Sequence, residues 1–588
     1  MKKSYLLLSA LLFIICLTLA ACTDDSPAPE PAPQEATEVA KTAPPDLKGL
    51  PLIDDASLYH ASDGTSVVYF YLTVRKGNAA DKTDHTFEEV NAYINPQGMV
   101  GAEKIKTELL FQVGDERGPL PGEIGFGGIQ ANATINVRGR TSTSYPQKSY
   151  RIDLYDNAGL WRGQKAIAIN KHPSDPTRLR NMLFFRLIQD VPDLASLRTQ
   201  FVHVFIKDET KFPPDQAFMD YGLFTQVELP NGRYLRNHSL SRNGNLYKAN
   251  MSELYREEDK IRLANDPEYD LQAFSTVFEP KTGQDHTKLI AMLEAVNNPG
   301  IPIEEVVARY FDADNLMSYL AFNLLMANPD SDAQNYLLYS PVNSEKWYYL
   351  LWDGDGALSY YEDELTKNQW AEASWTKGIS NYWSVVLFNR MFRLPLFRQM
   401  LAEKIEHLRQ IITPARIAQL IQEYRVVVDP FTHRMPDSIH LGMTFEELEL
   451  IYQNLPNDTQ RAYQYYLDSL DKPMPFYLGD VEKSQSGLLL SWDDAYDFDG
   501  DLVRYQVEVA SDWSFEREVL VFSQGPGFLA LEAEMPPLNA GTYYWRVIAT
   551  DERGNSQIAF DHVYTDTGEH HGMRRFVITE DGQVINPQ

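Results

Sequence analysis

The sequence predicts an α+β protein, in which stretches rich in strands and stretches rich in helices follow one another. Apolar and β-branched runs at residues 66–74, 134–138 and 149–154 indicate strands. Helical periodicity with charged outer faces appears at residues 396–412 and 414–424. Short strands at the spacing of a β-sandwich then follow a Pro-containing boundary near residue 471, which predicts a separate C-terminal sandwich domain.

Length and charge limit the function classes. The chain has 588 residues and a formal net charge of −29. It is long enough for roughly two to four domains. The negative charge argues against non-specific binding to nucleic acid or to anionic lipid headgroups.

The N-terminus indicates the compartment. Lys2 and Lys3 precede an apolar stretch that ends immediately before Cys22, and this resembles a bacterial lipoprotein signal peptide. The resemblance implies a signal at residues 1–21, lipidation of Cys22 and a protein of the cell envelope that faces outside the cytoplasm. The alternative, a transmembrane anchor, is disfavoured because the apolar run is short for a span. Residues 22–49 are rich in Pro and Ala and are predicted to form an extended tether.

Zinc and disulfide chemistry are not expected. The only other cysteine, Cys16, lies inside the predicted signal peptide, so the mature chain has no pair of thiols. The histidines, including His570 and His571, lack the spacing of a zinc site.

Two aspartates at the ends of a predicted hairpin give the best indication of chemistry. Residues 336–339 and 348–352 are aromatic and aliphatic runs around a polar turn. Asp330 and Asn335 have the D-x-x-x-x-N spacing of a protein-kinase catalytic loop, and Asp353 begins an Asp-x-Asp segment after the second strand. Antiparallel pairing brings Asn335 and Asp353 to about 5 Å from each other, a distance that a metal ion can bridge.

The segment before the hairpin supports the same site. Asp312 is predicted to cap a helix whose apolar positions recur at helical spacing, and Pro329 is predicted to end it just before Asp330. Magnesium prefers carboxylate and amide oxygens, which this cluster supplies. The alternative is that Asp330 caps a turn and that Asp353 and Asp355 solvate a loop.

Lys148 is a candidate phosphate contact. It shares strand parity with apolar residues at 150, 152 and 154, so its side chain is predicted to point inward. The alternative is a lysine at a strand end whose ammonium reaches water. The glycine cluster at residues 122–128 is interpreted as a turn rather than as a phosphate-binding loop.

These residues together resemble the spore-coat kinase family, CotH-like, over about residues 50–470. The resemblance is carried by five blocks in the order of the family, namely Arg138-Gly139 to Arg151, Leu179-Arg180-Asn181, Gly222 to Glu228, Gly244 to Lys248, and Asp330 to Asp355.

The resemblance implies an atypical kinase-like fold with a β-rich first lobe, a more helical second lobe and Mg-ATP in the cleft between them. Asp330 would be the catalytic base, with Asp332 as a rival for that role. The implied ligands of Mg²⁺ are Asn335, Asp353 and Asp355, and the implied nucleotide contacts are Lys148, Arg180 and Glu228.

Two departures from the family pattern concern nucleotide affinity. The family often has paired lysines where Gln147 and Lys148 stand, and an aromatic-Gly pair where Gly356 and Ala357 stand.

The C-terminal part, residues 474–580, is similar to fibronectin type III modules in its closing strands. Within it, residues 497–501 have a D-x-D-G-D pattern typical of calcium loops, but without a downstream Glu it is interpreted as a solvated turn.

Two function classes remain open at this point. The resemblance implies an extracytoplasmic protein kinase, anchored to the membrane through Cys22, that phosphorylates hydroxyls of envelope or surface proteins. The alternative is a catalytically weak or inactive kinase-like lipoprotein that binds protein or glycan, because ATP is scarce outside the cytoplasm.

Overall fold

The computed structural model describes residue 47 and residues 50–61, 64–95, 101–360, 373–516 and 519–587. The predicted signal peptide, Cys22 and the tether up to residue 46 lie outside the described residues, as do residues 48 and 49. Residues Pro45–Gln588 form one compact unit. Within the described ranges, no helix combines the length and the apolar character needed to cross a membrane.

An eight-stranded sheet forms the first part of this unit. Its strands are β1 (Val67–Arg75), β2 (Lys106–Asp115), β3 (Gly118–Pro119), β4 (Ala133–Arg138), β5 (Ser149–Leu154), β6 (Ala166–Asn170), β7 (Thr199–Asp208) and β8 (Met219–Val227). Their order is β1-β7-β8-β6-β5-β4-β2-β3, and an additional β1–β2 pairing closes the sheet into a barrel. Alternate residues of the strands, such as Phe70, Ile135, Ile152 and Val204, share one buried core.

The helical part follows the barrel strands in the sequence. Its helices are α1 (Phe87–Ala92), α2 (Arg180–Ile188), α3 (Gly232–Asn237), α4 (Leu271–Val277), α5 (Thr287–Asn297), α6 (Ile303–Tyr310), α7 (Ala313–Leu325), α8 (Val386–Phe392), α9 (Pro395–Ile411), α10 (Pro414–Thr432), α11 (Phe445–Asn454) and α12 (Asp458–Leu470), of which α1 lies between β1 and β2 and α2 between β6 and β7. Most of these helices share a second large core with a four-stranded antiparallel sheet. Its strands are β9 (Asn245–Ala249), β10 (Phe278–Thr282), β11 (Tyr336–Ser340) and β12 (Tyr348–Leu351), in the order β10-β9-β11-β12.

After α12 the regular elements described are strands and no further helix. They are β13 (Glu482–Lys483), β14 (Leu488–Ser491), β15 (Arg504–Ala510), β16 (Leu520–Phe528), β17 (Glu532–Met535), β18 (Gly541–Thr550), β19 (Ser556–Ile558), β20 (His562–Thr565), β21 (Gly568–His571), β22 (Met573–Ile578) and β23 (Val584–Ile585). A three-stranded sheet, β13-β14-β17, and a six-stranded sheet built on β16-β15-β18-β22-β23 share one core, in which Leu490 and Trp545 are fully buried. β20 and β21 form a separate pair.

The C-terminal sheets pack against the helical part through aromatic residues. The rings of Trp375 and Phe560 lie 5.2 Å apart, and those of Trp383 and Tyr496 lie 5.5 Å apart. Trp375 also donates its indole N–H to the carbonyl of Ala559 at 3.1 Å. These contacts hold the two regions side by side and create a cleft between them.

The mixture of helices and sheets confirms the predicted α+β class. The predicted strands at residues 66–74, 134–138 and 149–154 correspond to β1, β4 and β5, and the predicted helices at residues 396–412 and 414–424 correspond to α9 and α10. Helix α10 runs on to Thr432, beyond the predicted end.

Candidate active site

The predicted hairpin is confirmed, and its two strands position two residues of the candidate site, Asn335 and Asp353. Strands β11 and β12 pair with Tyr336 opposite Leu351, and both Asn335 and Asp353 lie just beyond this pair, at the same end of the hairpin. Both residues have a left-handed backbone, with φ of 56° at Asn335 and 58° at Asp353. Asn and Asp tolerate this conformation better than other residues with a side chain, which suits them to the ends of this hairpin.

The Asp330 loop is fixed by hydrogen bonds from the helical core. Helix α7 begins at its cap Asp312, as predicted, but it ends at Leu325 instead of reaching Pro329. The left-handed backbone of Ala327, with φ of 43°, turns the chain away before the proline. Tyr319 then donates to the carbonyl of Ser331 at 2.6 Å, and Asn381 donates to that of Pro329 at 2.8 Å.

Asp330 itself is held by two side-chain amides. Gln334 donates to its Oδ1, and Asn335 donates from Nδ2 to its Oδ2 at 2.7 Å. The carboxylate is therefore oriented by residues of its own loop. Because the amide nitrogen of Asn335 is used in this contact, its Oδ1 is left as the atom that can bind a metal ion.

Four carboxylates, Asp330, Asp332, Asp353 and Asp355, form what we call the acidic cluster. Burial, reinforced by the charge of Asp332, raises the pKa of Asp330 to about 8. Burial likewise raises the pKa of Asp332 to about 7, and burial together with Asp355 raises that of Asp353 to about 6. Like charges that share a partly dry site resist ionisation, so a cation in the cluster would stabilise it.

Two cations face this cluster without contacting it. Lys248 lies on β9, opposite Leu337 of β11, and Arg138 ends β4. Burial lowers the pKa of Lys248 to about 8, and Asp353 opposes that shift. Burial also lowers the pKa of Arg138, opposed by Asp353 and Asp355. Within the described ranges neither side chain forms a salt bridge, so both remain able to pair with an anionic ligand.

Asp355 and Gly354 complete the end of the hairpin. Oδ2 of Asp355 lies 3.9 Å from Nδ1 of His172, and 46% of the Asp355 side chain is exposed. Gly354 packs directly on the ring of Phe184 in α2, where a methyl group would overlap it. Glycine is thus required for Asp353 to hold its position beside the helix.

Lys148, the predicted phosphate contact, lies at the edge of this arrangement. It immediately precedes β5, and its ammonium donates to the carbonyl of Thr143 at 2.5 Å. Burial alone lowers its pKa, whereas the carboxylate of Asp353 acts on Lys248. Lys248 is therefore the lysine that the structure brings to the acidic cluster. Lys248 ends one of the five family blocks, but no role was predicted for it from the sequence.

Arg180 and Glu228, the other predicted nucleotide contacts, are both paired in buried networks. Arg180 is 1% exposed and donates to Oδ1 of Asp175 at 2.7 Å. Glu228 accepts from Nε of Arg198 and from Nε2 of His238, both at 3.0 Å. These hydrogen bonds hold the pKa of Glu228 far below its usual range against the opposing effect of burial. Both side chains are therefore engaged by partners within the protein, and their contact with a nucleotide stays a prediction.

The D-x-D-G-D segment of the C-terminal sheets gathers three carboxylates. Ligand atoms of Asp497, Asp501 and Asp551 all lie within 4.8 Å of one another. Arg553 forms salt bridges with Asp499 at 2.5 Å and Asp501 at 3.1 Å. The charge of this turn is thus partly neutralised from within the chain.

The fold and the site define an α+β protein with an acidic cluster at the end of a hairpin and, opposite it, two cations that form no salt bridge among the described residues. Residues 135–453 match the family described as CotH kinase protein. This match covers more than half of the sequence and includes all five blocks, so the chain belongs to the CotH kinase family. No curated protein matches the chain.

The matched region is narrower than the predicted span of residues 50–470. Strands β1, β2 and β3 lie before residue 135, although they belong to the same barrel as β4 to β8. The C-terminal sheets lie wholly after residue 453.

Proposed function

We propose that this protein is a membrane-anchored, extracytoplasmic kinase that transfers the γ-phosphate of ATP to hydroxyls of envelope or surface proteins. The observation that carries the proposal is the acidic cluster, in which an oriented Asp330 and Asp353 lie at the same end of the hairpin, opposite two cations that form no salt bridge among the described residues. A fold of this family alone does not fix activity.

The donor set fits Mg²⁺ and a nucleotide. Asn335 Oδ1 and the carboxylate of Asp353 are hard oxygen ligands, with Asp355 as a further one. Lys248 and Arg138 are the cations proposed to hold phosphate oxygens, and Lys148 is proposed to contribute from the barrel edge. When bound, Mg-ATP would supply the phosphoryl group to be transferred, and the charge of Mg²⁺ would neutralise part of the negative charge of the phosphates.

Asp330 is proposed as the base that orients the acceptor hydroxyl. Its two amide partners fix the carboxylate before the acceptor arrives, which lowers the entropic cost of alignment. Because burial raises its pKa, the ionised form of Asp330 is a stronger proton acceptor than an ordinary carboxylate, and Asp332 remains the rival for this role.

The fold assignment in its finer form belongs to the same proposal. The barrel would be the first lobe of a kinase-like domain, and the helical part with its four-stranded sheet would be the second. The two C-terminal sheets that share one core would form a fibronectin type III-like sandwich.

Autophosphorylation with labelled ATP and Mg²⁺ tests the activity on the chain from Pro45 onward, which forms one compact unit. We expect label in the wild type and in the matched control Asp499→Asn, and at least a roughly 100-fold loss in Asp330→Asn and Asp353→Asn. Equal silence in all four proteins, without nucleotide binding by calorimetry, would refute the kinase and favour the displayed binding module.

The lipid anchor is tested separately. We expect a palmitate analogue to label the full-length protein in cells, and the label to be lost in Cys22→Ser. Labelling that persists in that variant would contradict the anchor.

A further inference from the structure

A large cleft lies between the family domain and the C-terminal sheets. Its volume is about 780 Å³. One wall, which includes Glu253, Asp332 and Gln334, belongs to the region matched by the family; the other, which includes Tyr477 and Tyr564, comes from the C-terminal sheets. The cleft therefore exists only because the chain carries the additional C-terminal part.

This cleft leads directly to the proposed base. Gln334 lines it and donates a hydrogen bond to Asp330 Oδ1. Asp332 also lines it, and its charge acts on Asp330. A group bound in the cleft thus lies beside Gln334, which contacts the carboxylate proposed to orient the acceptor hydroxyl.

The C-terminal wall offers aromatic faces and a strand edge. The rings of Tyr477 and Phe560 lie 5.0 Å apart, and the side chain of Tyr564 is 67% exposed. Residues 561–564 all line the cleft, and most of them belong to β20. Among the described strands β20 pairs only with β21, so its second edge forms no ladder with another described strand.

The family-side wall carries two acidic side chains, Glu253 and Asp332. Within the part of the chain that the structure describes, neither Glu253 nor Asp332 takes part in a salt bridge. Glu253 accepts hydrogen bonds from the neutral hydroxyls of Ser384 and of Tyr477, the latter at 3.5 Å. On the opposite wall Arg574 is paired with Asp480 at 2.7 Å, while Arg575 has no salt bridge among the described residues.

We propose that this cleft is the acceptor site, and that it binds an extended polypeptide segment in which a lysine or arginine lies beside the hydroxyl residue. This proposal rests on the proposed function. The strand edge of β20 would pair with the backbone of the segment, the aromatic wall would cover its side chains, and Glu253 with Asp332 would bind its cation. The C-terminal domain then selects the substrate of the kinase domain.

The test uses Ser-centred peptides that carry lysine, norleucine or glutamate at the flanking positions. We expect the wild type to bind the lysine peptides most tightly, measured by fluorescence anisotropy with a labelled peptide. Glu253→Gln should weaken that binding about tenfold and remove the preference for lysine over norleucine. The matched control Glu258→Gln, an exposed glutamate outside the cleft, should bind as the wild type does.

Tyr564→Ala provides a second variant that is not expected to affect folding, because the side chain is largely exposed. It should weaken binding of all the peptides by a similar factor. In steady-state phosphorylation, both cleft variants should raise KM for the peptide and leave kcat and KM for ATP unchanged.

The two proposals fail differently. Unchanged peptide affinity in Glu253→Gln and Tyr564→Ala, or no peptide binding by the wild type, would overturn the acceptor site even if autophosphorylation is present. Peptide binding that depends on Glu253 without any phosphorylation would support the cleft and overturn the kinase.

Discussion

Asn335 Nδ2 donates a hydrogen bond to Asp330 Oδ2 at 2.7 Å, across the loop that separates helix α7 from strand β11. This contact joins the proposed metal ligand to the proposed base. It fixes the orientation of the Asn335 amide and directs its oxygen away from Asp330. The two roles are thus coupled through one side chain.

Replacing Asn335 by glycine removes the side chain but keeps the left-handed backbone, so this variant tests the side chain alone. Glycine adopts a φ of 56° without strain, so the folding stability should change little. We expect at least a roughly tenfold weaker affinity for Mn²⁺ in the presence of a non-hydrolysable ATP analogue, measured by calorimetry. Asn335→Ala, which adds backbone strain of about 1 kcal/mol, should lose the same affinity and also some stability. Unchanged affinity in both variants would exclude Asn335 as a ligand.

The two candidate lysines can be distinguished by a pair of matched substitutions. Lys248→Met should weaken ATP binding about tenfold or more, because Lys248 faces Asp353 and forms no salt bridge within the described ranges. Lys148→Met should have a smaller effect, since its ammonium is already bonded to the carbonyl of Thr143. Competition with a fluorescent nucleotide measures both affinities. A larger loss of ATP affinity in Lys148→Met than in Lys248→Met would instead identify Lys148 as the phosphate contact.

Asp353→Asn should stabilise the protein in the absence of metal and nucleotide. Burial and Asp355 raise the folded-state pKa of Asp353 from 3.8 to about 6, so its ionised form destabilises the folded state relative to the unfolded chain at neutral pH. The melting temperature of the ligand-free variant should therefore exceed that of the wild type at about pH 7.5. Mg-nucleotide should raise the melting temperature of the wild type but not that of Asp353→Asn. Asp499→Asn, which changes an exposed salt bridge, should behave as the wild type does. A lower melting temperature for Asp353→Asn would contradict this account.

Stability should depend on pH through His238. Its Nδ1 and Nε2 both donate, to Asp54 at 2.5 Å and to Glu228 at 3.0 Å, although burial opposes the charge, and its pKa is raised from 6.5 to about 9. This contribution is complete below about pH 6.5 and is lost as the pH rises through about 9. The lowered pKa of Glu228 acts in the opposite direction, because its contribution is present above about pH 4.5 and is lost in acid.

Urea unfolding of the wild type should therefore show a loss of unfolding free energy between about pH 6.5 and about pH 9.5. The loss should be smaller in His238→Gln and unchanged in the control His440→Gln, whose side chain is exposed. If the unfolding free energies of the wild type and of His238→Gln fall equally with pH, protonation of His238 does not stabilise the fold.

Much of the candidate site follows from local sequence. The aromatic runs around a polar turn predict the hairpin. The hairpin places Asn335 and Asp353 at the same end, because residues at similar sequence distances from the turn lie opposite each other in an antiparallel pair. The cap at Asp312 is likewise local, since it needs only the residues of one helical turn. The end of α7 was less predictable, because the backbone turns at Ala327, a residue that gives no such signal.

Tertiary structure decided which charged residues meet. The pattern of residues 148–154 places Lys148 on an inward face, but only the folding of β9 against β11 brings Lys248 toward Asp353. Those strands are separated by many residues, and their pairing depends on burial in a shared core rather than on any local preference. The cleft beside Asp332 has the same origin, because its two walls come from distant parts of the chain. The sequence by itself determined the fold class, the hairpin and the acidic residues; the tertiary structure decided which cations face them and where an acceptor can enter, since those contacts form only when distant segments are packed together.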